Sequence, residues 1–275
     1  MLETLPIGKA GAGSRPHTDR MPQIRVSAQL QPQHSDWSAM RQAWVDAEEL
    51  GVDCLFNWDH FYPLRGEPEG KHFECLTVLG AMAEVTERVE FGSLVICNAY
   101  RNPDYLADAH RTIDQISGGR AILGLGAGWF EKDFDEYGYD FGTVGTRLTL
   151  LEEAMPRIEA RLGKLNPPPV RQPIPILIGG GGPKRTLKLV ARYGDIWHSF
   201  GSPDVVREKS EILRGHCADV SRDPAEIEIS WGAQNGDWDE LLDAGVTHFI
   251  LGVSGSDSGY DLGRLRELVQ WRDAR

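Results

Sequence analysis

The chain has 275 residues, of which 41% are hydrophobic, and it carries 29 Lys plus Arg against 41 Asp plus Glu, a formal net charge of −12. This length is enough to bury a sizeable core, and the acidic excess argues against a nucleic-acid or anionic-membrane partner. No apolar run reaches the ~18 residues of a membrane span. The four cysteines lie too far apart for a metal-ligand motif: Cys54, Cys75, Cys97 and Cys217. We therefore expect a soluble, cytoplasmic protein with free thiols and no metal.

The first 23 residues differ in composition and in hydrophobic periodicity from the rest of the chain. They are rich in Gly, Pro and polar residues and follow neither the helical nor the strand period. We interpret residues 1–23 as a disordered or non-native N-terminal tail. No linker divides the remainder, because the proline-rich stretch 164–175 only joins a helix to a strand, so residues 24–275 are predicted to form a single domain.

From residue 24 onward, short apolar strands alternate with amphipathic helices. The eight predicted strands are 24–29, 54–60, 89–98, 120–128, 174–180, 195–200, 226–232 and 247–253. The clearest predicted helices are 36–51, 72–86, 102–117, 146–163, 184–195 and 262–274. Strands that alternate with helices in this way pair in parallel through crossover connections. Eight such units favour an α/β fold of the closed (β/α)8 TIM barrel type, because an open doubly wound sheet usually has five or six strands.

In such barrels the ligand site lies at the carboxyl ends of the strands. The residues at these ends are therefore the candidates for chemistry: Gln29, Asp59, His60, Cys97, Asn98, Gly126, Gly128, Trp129, His198, Trp231 and a run of four glycines. These candidates contain no dense carboxylate cluster, and the sequence has no HxH or HExxH motif. The pattern argues against a metal hydrolase.

The four adjacent glycines fall where the fifth strand should end and the fifth helix begin: Gly179, Gly180, Gly181 and Gly182. Pro183 is predicted in the first helical turn, where its missing N–H costs nothing. Exposed amides without a Cβ, beside a helix N-terminus, form a phosphate cradle, to which Lys184 and Arg185 would add charge. The alternative is a tight turn without a ligand, although one or two glycines suffice for a turn.

Four separated stretches of the chain resemble one known family. They are GVDCLFNWDHFYP, LVICNAYRNPDYLADAHRTIDQISGGRAILGLGAGWFEKDFDEYGYDFG, RLTLLEEAMPRI and IPILIGGGGPKRTLKLVARYGDIWH. The chain resembles the bacterial luciferase-like superfamily, and most of all its short actinobacterial branch of oxidoreductases that depend on the deazaflavin coenzyme F420. The similarity runs in order from about residue 24 to 272. It implies a (β/α)8 barrel, in agreement with the unit count, and a homodimer that pairs through helices two and three.

The resemblance implies specific contacts with the cofactor. A non-prolyl cis peptide between Leu94 and Val95 would support the central ring of the deazaflavin, and Cys97 and Asn98 would face the ring edge. The further cofactor contacts that it implies are Asp59, Gly126, Gly128 and the glycine run Gly179, Gly180, Gly181 and Gly182 with Lys184. The long anionic tail of F420 would meet Lys184, Arg185 and Arg101, although Arg101 has the alternative role of closing its own loop.

The expected substrate site follows from the same comparison. Trp129 stands where the family's sugar-phosphate dehydrogenases carry a glutamate, which favours an apolar substrate. The expected substrate-binding residues are Gln29, Trp129, His198 and Trp231. His60 is the predicted proton donor, because the unperturbed pKa of a histidine, ~6.5, lies near working pH. An ordinary loop histidine is the alternative interpretation of His60.

The predicted function is hydride transfer between F420 and a small, apolar organic substrate. The cofactor carries this chemistry, while the protein binds, orients and shields it. Two alternatives stay open at this point. One is an FMN-dependent monooxygenase that receives reduced flavin from a separate reductase, and the other is a non-catalytic barrel that binds a flavin or deazaflavin.

Overall fold

The computed structural model describes residues 23–275, so the tail predicted over residues 1–23 lies, apart from its last residue, outside the described residues. The strands are β1 (Arg25–Gln31), β2 (Cys54–Asn57), β3 (Glu90–Ser93), β4 (Ile96–Cys97), β5 (Ala121–Gly126), β6 (Ile176–Gly179), β7 (Ile196–Ser199), β8 (Glu228–Gly232), β9 (His248–Ser256) and β10 (Gly259–Tyr260). The α-helices are α1 (Trp37–Glu49), α2 (Cys75–Val85), α3 (Pro103–Ile116), α4 (Glu131–Tyr137), α5 (Val144–Leu162), α6 (Thr186–Tyr193), α7 (Pro203–Asp219), α8 (Trp238–Asp243) and α9 (Gly263–Asp273).

Eight of the strands form a closed parallel barrel. Their order is β1, β2, β3, β5, β6, β7, β8 and β9, and β9 pairs in parallel with β1 again. The short β4 continues the line of β3 by pairing with β5, and β10 pairs antiparallel with the end of β9. The predicted (β/α)8 TIM barrel is therefore confirmed, and each of the eight predicted strands coincides with a barrel strand.

Apolar side chains fill three regions. Two of them are the inner and outer faces of the barrel, because successive strand residues point to opposite faces. The third is a small cluster of Cys97, Tyr100 and Phe134. A small cluster fills the barrel interior: Cys54, Phe56, Ile122, Leu177, Ile196 and Ile250. The larger cluster lies between the outer face of the barrel and the helices, and it includes the fully buried Trp44, Trp197 and Trp231. Along each strand, only residues an even number of positions from an interior residue point into the barrel and its mouth.

The connection from β5 to α5, residues 127–143, contains a short helix that the sequence did not predict. This helix, α4, ends at Gly138 in the left-handed conformation, with φ of 69°. Arg147, near the start of α5, ties both ends of the connection together. Its Nε donates to the carbonyl of Gly128 (3.1 Å) and another guanidinium nitrogen donates to the carbonyl of Phe141 (2.6 Å). We call residues 127–143 the β5–α5 excursion.

The helix after the glycine run begins later than predicted. It starts at Thr186, and Pro183 lies in the preceding turn rather than in the first helical turn. The delay follows from the backbone of two residues: Gly180 has φ of 117°, which favours glycine, and Arg185 is not helical, with φ −121° and ψ −53°. The run therefore consists of the last residue of β6 and a loop over residues 180–182.

Candidate active site

His60 and Asp133 form a hydrogen-bonded pair at the barrel mouth. Nδ1 of His60, which follows β2, lies 2.7 Å from Oδ2 of Asp133, which α4 carries. The Asp133 side chain is fully buried, and that of His60 is 12% exposed. Two further donors fix the carboxylate: the amide of Phe61 (3.1 Å) and the hydroxyl of Tyr100 (3.2 Å). A carboxylate on Nδ1 orients the imidazole and leaves Nε2 as the nitrogen available to a ligand.

Three aromatic rings surround the His60 imidazole. The ring centroids of Trp58, Trp129 and Phe130 lie 5.7, 5.8 and 5.5 Å from that of His60, and each meets it edge to face. Trp129 is 63% exposed, so its indole lines the cleft instead of the core. The surroundings of His60 are therefore largely apolar, and an exposed indole lines the cleft beside it.

His72 holds one wall of this aromatic box. Nε1 of Trp58 donates to Nε2 of His72 at 2.9 Å. Burial, reinforced by repulsion from His60, lowers the pKa of His72 to about 4. A neutral imidazole is an acceptor at Nε2 when its proton is on Nδ1, so the indole N–H is satisfied and the Trp58 ring stays against His60.

The peptide bond between Leu94 and Val95 is cis, at the position that the family resemblance implied. Nε2 of Gln29 donates to the Leu94 carbonyl at 2.8 Å, which ties this bulge to β1. Val95 packs over two strand-end glycines: a Cβ on Gly126 would lie 2.5 Å, and one on Gly179 2.9 Å, from its methyl carbons. These glycines therefore make room for Val95, and their predicted backbone contact with the cofactor stays a prediction.

Asp59 also supports the bulge, which corrects its predicted contact with the cofactor. The side chain is 1% exposed. One of its oxygens accepts from the amide of Cys97 (2.9 Å) and the other from the guanidinium of Arg101 (2.8 Å). Arg101 also bonds Glu74 at 2.8 Å. With two carboxylates beside it, Arg101 closes its own loop and is not available to hold the anionic tail of a cofactor.

Cys97 and Asn98 differ in what they offer to a ligand. Cys97 is 4% exposed, and its sulfur packs so closely on Gly128 that a Cβ there would lie 2.4 Å away. Burial raises the pKa of Cys97 to about 12, so the thiol is neutral and offers no charge to a ligand. Asn98 is also 4% exposed, but its Oδ1 has no hydrogen-bond partner among residues 23–275. A buried acceptor without a donor is costly, which makes Asn98 a candidate ligand contact.

The glycine loop presents free backbone amides. The amide of Gly180 donates to the carbonyl of His198, and the carbonyl of Gly180 accepts from Nε1 of Trp197, both at 2.9 Å. Within residues 23–275, the amides of Gly181 and Gly182 have no acceptor. Of the two predicted cations, Arg185 is paired with Glu152 at 2.6 Å, whereas Lys184 is exposed and forms no ion pair within that range.

His198 lies at the mouth, but Trp231 does not. Nδ1 of His198 lies 2.9 Å from the hydroxyl of Ser230, and burial, together with the nearby His248, lowers the pKa of His198 to about 3. The prediction that Trp231 binds substrate is wrong. Its indole is fully buried against the helices, and Nε1 donates to the carbonyl of Gly201 at 2.9 Å. Trp231 directly follows Ser230, whose hydroxyl contacts His198, so its side chain points to the opposite face of β8.

Two residues of this site escaped the sequence analysis. Asp133 and Arg147 lie within or next to the β5–α5 excursion, and their partners are 73 and 19 residues away in sequence. The signal for both was their position in stretches that carry the family resemblance: Asp133 lies inside GWFEKDFDEYG, and Arg147 is the first residue of RLTLLEEAMPRI. Among residues 23–275, no group of three or more His, Cys, Asp or Glu is placed to hold a metal ion, and no helix is long and apolar enough to cross a membrane.

Comparison with known proteins identifies the family of this barrel. The model of a family described as luciferase-like monooxygenase matches residues 21–235. The chain belongs to this luciferase-like family. The resemblance read from the four sequence stretches is thereby confirmed.

Two curated relatives show sequence similarity to this chain. This luciferase-like chain is 33% identical over 169 residues to an F420-dependent glucose-6-phosphate dehydrogenase of Amycolatopsis mediterranei, covering 55% of this chain and 50% of the relative. It is 31% identical over 214 residues to a phthiodiolone/phenolphthiodiolone dimycocerosates ketoreductase of Mycobacterium sp., covering 67% of this chain and 54% of the relative. The chain thus spans about half the length of these two curated relatives.

Solved structures share the fold of this luciferase-like chain. An F420-dependent secondary alcohol dehydrogenase, solved with an F420–acetone adduct, superposes with a TM-score of 0.77 at 16% identity. The superposition covers 92% of this chain and 98% of that one. At this identity the likeness establishes a common barrel and no more.

Proposed function

We propose that this protein is an F420-dependent oxidoreductase that transfers hydride between F420 and a small, apolar organic molecule. The observation that carries the proposal is the convergence of three features at one barrel mouth: the His60–Asp133 pair, the bulge at Leu94 and Val95, and the glycine loop. Relatives with F420-dependent dehydrogenase activity in their names support the choice of cofactor.

The residues at the mouth fit such a cofactor. The free amides of Gly181 and Gly182 would hold its phosphate, with the exposed Lys184 adjacent to them. The orphaned Oδ1 of Asn98 would accept a hydrogen bond from a donor on the cofactor or substrate. The predicted charge assistance from Arg101 and Arg185 is not part of this proposal, because both guanidinium groups are paired with carboxylates.

When bound, F420 supplies or accepts the hydride. His60 donates a proton from Nε2 to the substrate atom that gains negative charge during reduction, or removes that proton in the opposite direction. Asp133 accepts the Nδ1–H of His60, keeps the imidazole oriented and stabilises its charged form. With the rings of Trp58, Trp129 and Phe130 packed against it, the His60 side chain is only 12% exposed, which limits the water that can compete in this proton transfer.

The same aromatic box favours an apolar substrate that carries an activated C=C, C=N or C=O group. Three rings and one imidazole offer apolar surface and a single proton donor, which suits reduction of a polarised double bond. A relative that is named as a ketoreductase supports carbonyl reduction within this family. Sugar phosphates are disfavoured, because Trp129 stands where the resemblance places the glutamate acid of the sugar-phosphate dehydrogenases.

The test is a single-turnover experiment without oxygen. Reduced F420 bound to the protein is mixed with cyclic enones, imines and ketones of graded size, and the return of oxidised F420 is followed by its absorbance. We expect oxidation that depends on the substrate and needs no oxygen. An FMN-dependent monooxygenase would instead turn over only with reduced FMN and oxygen. A non-catalytic barrel would bind the cofactor and show no oxidation above the rate without protein.

A further inference from the structure

Three glutamine side chains converge on one point of the barrel mouth, at the ends of β1, β8 and β9. The point lies in front of Gly252: a Cβ there would be 2.9 Å from Nε2 of Gln234, 3.3 Å from Nε2 of Gln31 and 3.8 Å from Oε1 of Gln29. Gly252 is the direct partner of Gln29 across the β1–β9 pairing. We call Gln29, Gln31 and Gln234 the glutamine wall.

Neighbouring bonds fix which atoms of the wall are free. Nε2 of Gln29 is used by the Leu94 carbonyl at 2.8 Å, so its free atom is the acceptor Oε1. Oε1 of Gln31 accepts from the hydroxyl of Ser254 at 2.7 Å, so its free group is the donor Nε2. Gln234 is exposed, and its side-chain amide forms no hydrogen bond within residues 23–275, which leaves its Nε2 free as a second donor. Oε1 of Gln234 is free for the same reason, so the wall offers two donor groups, Nε2 of Gln31 and of Gln234, and two acceptors, Oε1 of Gln29 and of Gln234, all uncharged.

Glycine at two strand positions makes room for this wall. Gln234 folds back over the sheet, and a Cβ on Gly232 would lie 3.0 Å from its Oε1 while one on Gly252 would lie 2.9 Å from its Nε2. Neither glycine has a positive φ. Their lack of a side chain is therefore used for space, and the Gln234 amide takes that space, which brings it beside the amides of Gln29 and Gln31.

We propose that the glutamine wall binds the C=O and N–H edge of a neutral cyclic amide or imide. The N–H of such a ring would donate to Oε1 of Gln29, and its carbonyl would accept from Nε2 of Gln31 and Gln234. A ketone or lactone would make one hydrogen bond fewer with the wall, because it has no N–H to donate to Oε1 of Gln29. A carboxylate or phosphate would face that acceptor and gain no cation from the wall.

Two molecules could present this C=O and N–H edge. The proposal rests on the proposed function, in which the barrel mouth is the site of F420 and of the substrate. The substrate is one source. The pyrimidinedione ring of the cofactor is the other, because it presents the same carbonyl and N–H groups. The chemistry that the wall recognises is identical in both cases, so the experiment has separate arms for the two sources.

The first arm uses three small probes on the purified chain, with and without bound F420. They are 2-piperidone, which has both groups, and N-methyl-2-piperidone and cyclohexanone, which lack the N–H. Calorimetry or ligand-observed NMR should show 2-piperidone binding about tenfold more tightly than either control. Affinities within twofold of one another for the three probes, or binding by none of them, overturn the proposal.

The second arm uses Gln234→Met, which keeps the shape of the side chain and removes its donors. Because the side-chain amide of Gln234 has no partner among residues 23–275, the melting temperature should not change. The variant should lose about fivefold to tenfold in affinity for 2-piperidone, whereas the neighbouring exposed Asn235→Ala, the matched control, should lose none. Unchanged 2-piperidone affinity in Gln234→Met also overturns the proposal.

A competition experiment assigns the source. If F420 displaces 2-piperidone and Gln234→Met weakens F420, the wall holds the cofactor ring. If both molecules bind together and F420 affinity is unchanged in the variant, the wall holds the substrate. Either result supports recognition of the amide edge. Absence of any F420 binding would defeat the proposed function alone, because the preference of the wall for 2-piperidone is also measured on the protein without F420.

Discussion

Nδ1 of His60 lies 2.7 Å from Oδ2 of Asp133, although 73 residues separate them in the chain. The carboxylate is fully buried, and the amide of Phe61 and the hydroxyl of Tyr100 complete its hydrogen bonds. This arrangement holds the imidazole from the side opposite Nε2. Nε2, the proposed proton donor, has no such partner, and the imidazole packs against Trp58, Trp129 and Phe130.

The first prediction concerns His60 as proton donor. Replacing His60 with Ala should lower kcat by about 100-fold to 10,000-fold, because a positioned donor acts mainly in the transition state. F420 affinity should change by less than about 1 kcal/mol. Single-turnover oxidation of reduced F420 and a cofactor titration measure the two effects. If the His60→Ala protein keeps a near wild-type kcat, His60 is not the proton donor, and the donor is Asn98, His198, Tyr100 or water.

Asp133→Asn tests the buried partner. The substitution keeps the size of the side chain but removes the charge that orients and stabilises His60, so kcat should fall by about tenfold to 100-fold while F420 affinity is kept. The matched control is Asp135→Asn, an exposed residue on the same short helix, which should leave kcat unchanged. Equal activity in the two variants would mean that Asp133 only packs the β5–α5 excursion.

Gly181→Val tests the phosphate cradle. Gly181 has an ordinary backbone conformation, and its Cβ would lie 3.1 Å from the hydroxyl of Ser199, which can rotate away, so the fold should survive. The side chain should block close approach of a phosphate and weaken F420 binding by at least about tenfold. Gly215→Val, on α7 where a Cβ would meet nothing within 4 Å, is the control. Unchanged F420 affinity in folded Gly181→Val would make the run a plain turn.

His110 should make the fold sensitive to acid. It is fully buried on α3, both ring nitrogens lack partners among residues 23–275, and burial lowers its pKa to about 4. The unfolded state therefore binds more protons than the folded state below the ordinary histidine pKa of ~6.5. The stability contribution of the neutral imidazole is complete above that pH and is lost as the pH falls toward 4.

The measurement is urea unfolding of the wild type and His110→Leu at about pH 7.5 and about pH 5. The wild type should lose roughly 2 kcal/mol more than the variant over this interval. At the higher pH, His110→Leu should be at least as stable as the wild type, because leucine leaves no buried polar atom unpaired. Equal losses in the two proteins would show that His110 is not the group that titrates.

The fold was predictable because its signal is local and repeated. Each strand of the barrel is a short apolar run followed by a turn, and eight such units specify the closed sheet. The α4 helix escaped prediction because its seven residues are mostly polar and too few for a clear helical period. Its stability comes from contacts of the β5–α5 excursion with Arg147 and with the aromatic residues around Phe61.

The site was only partly predictable, because its decisive contacts join distant parts of the chain. His60 was identified from its position after a strand, but its partner Asp133 was not. The sequence predicted Arg101 and Arg185 as cations available to the cofactor. Neither is available, because Arg101 pairs with Asp59 and Arg185 pairs with Glu152. Trp231 was misassigned because strands covered on both faces are apolar throughout, so their sequence does not reveal which side chains point into the barrel.

The most direct test of the account is a titration of the purified chain with F420 and, separately, with FMN. Both carry a phosphate for the glycine loop, but only F420 has an anionic tail, for which the exposed Lys184 is the proposed contact. We predict that F420 binds with a Kd at least about tenfold lower than that of FMN. Micromolar binding of FMN with no binding of F420 would contradict the account and make the FMN-dependent monooxygenase the correct assignment.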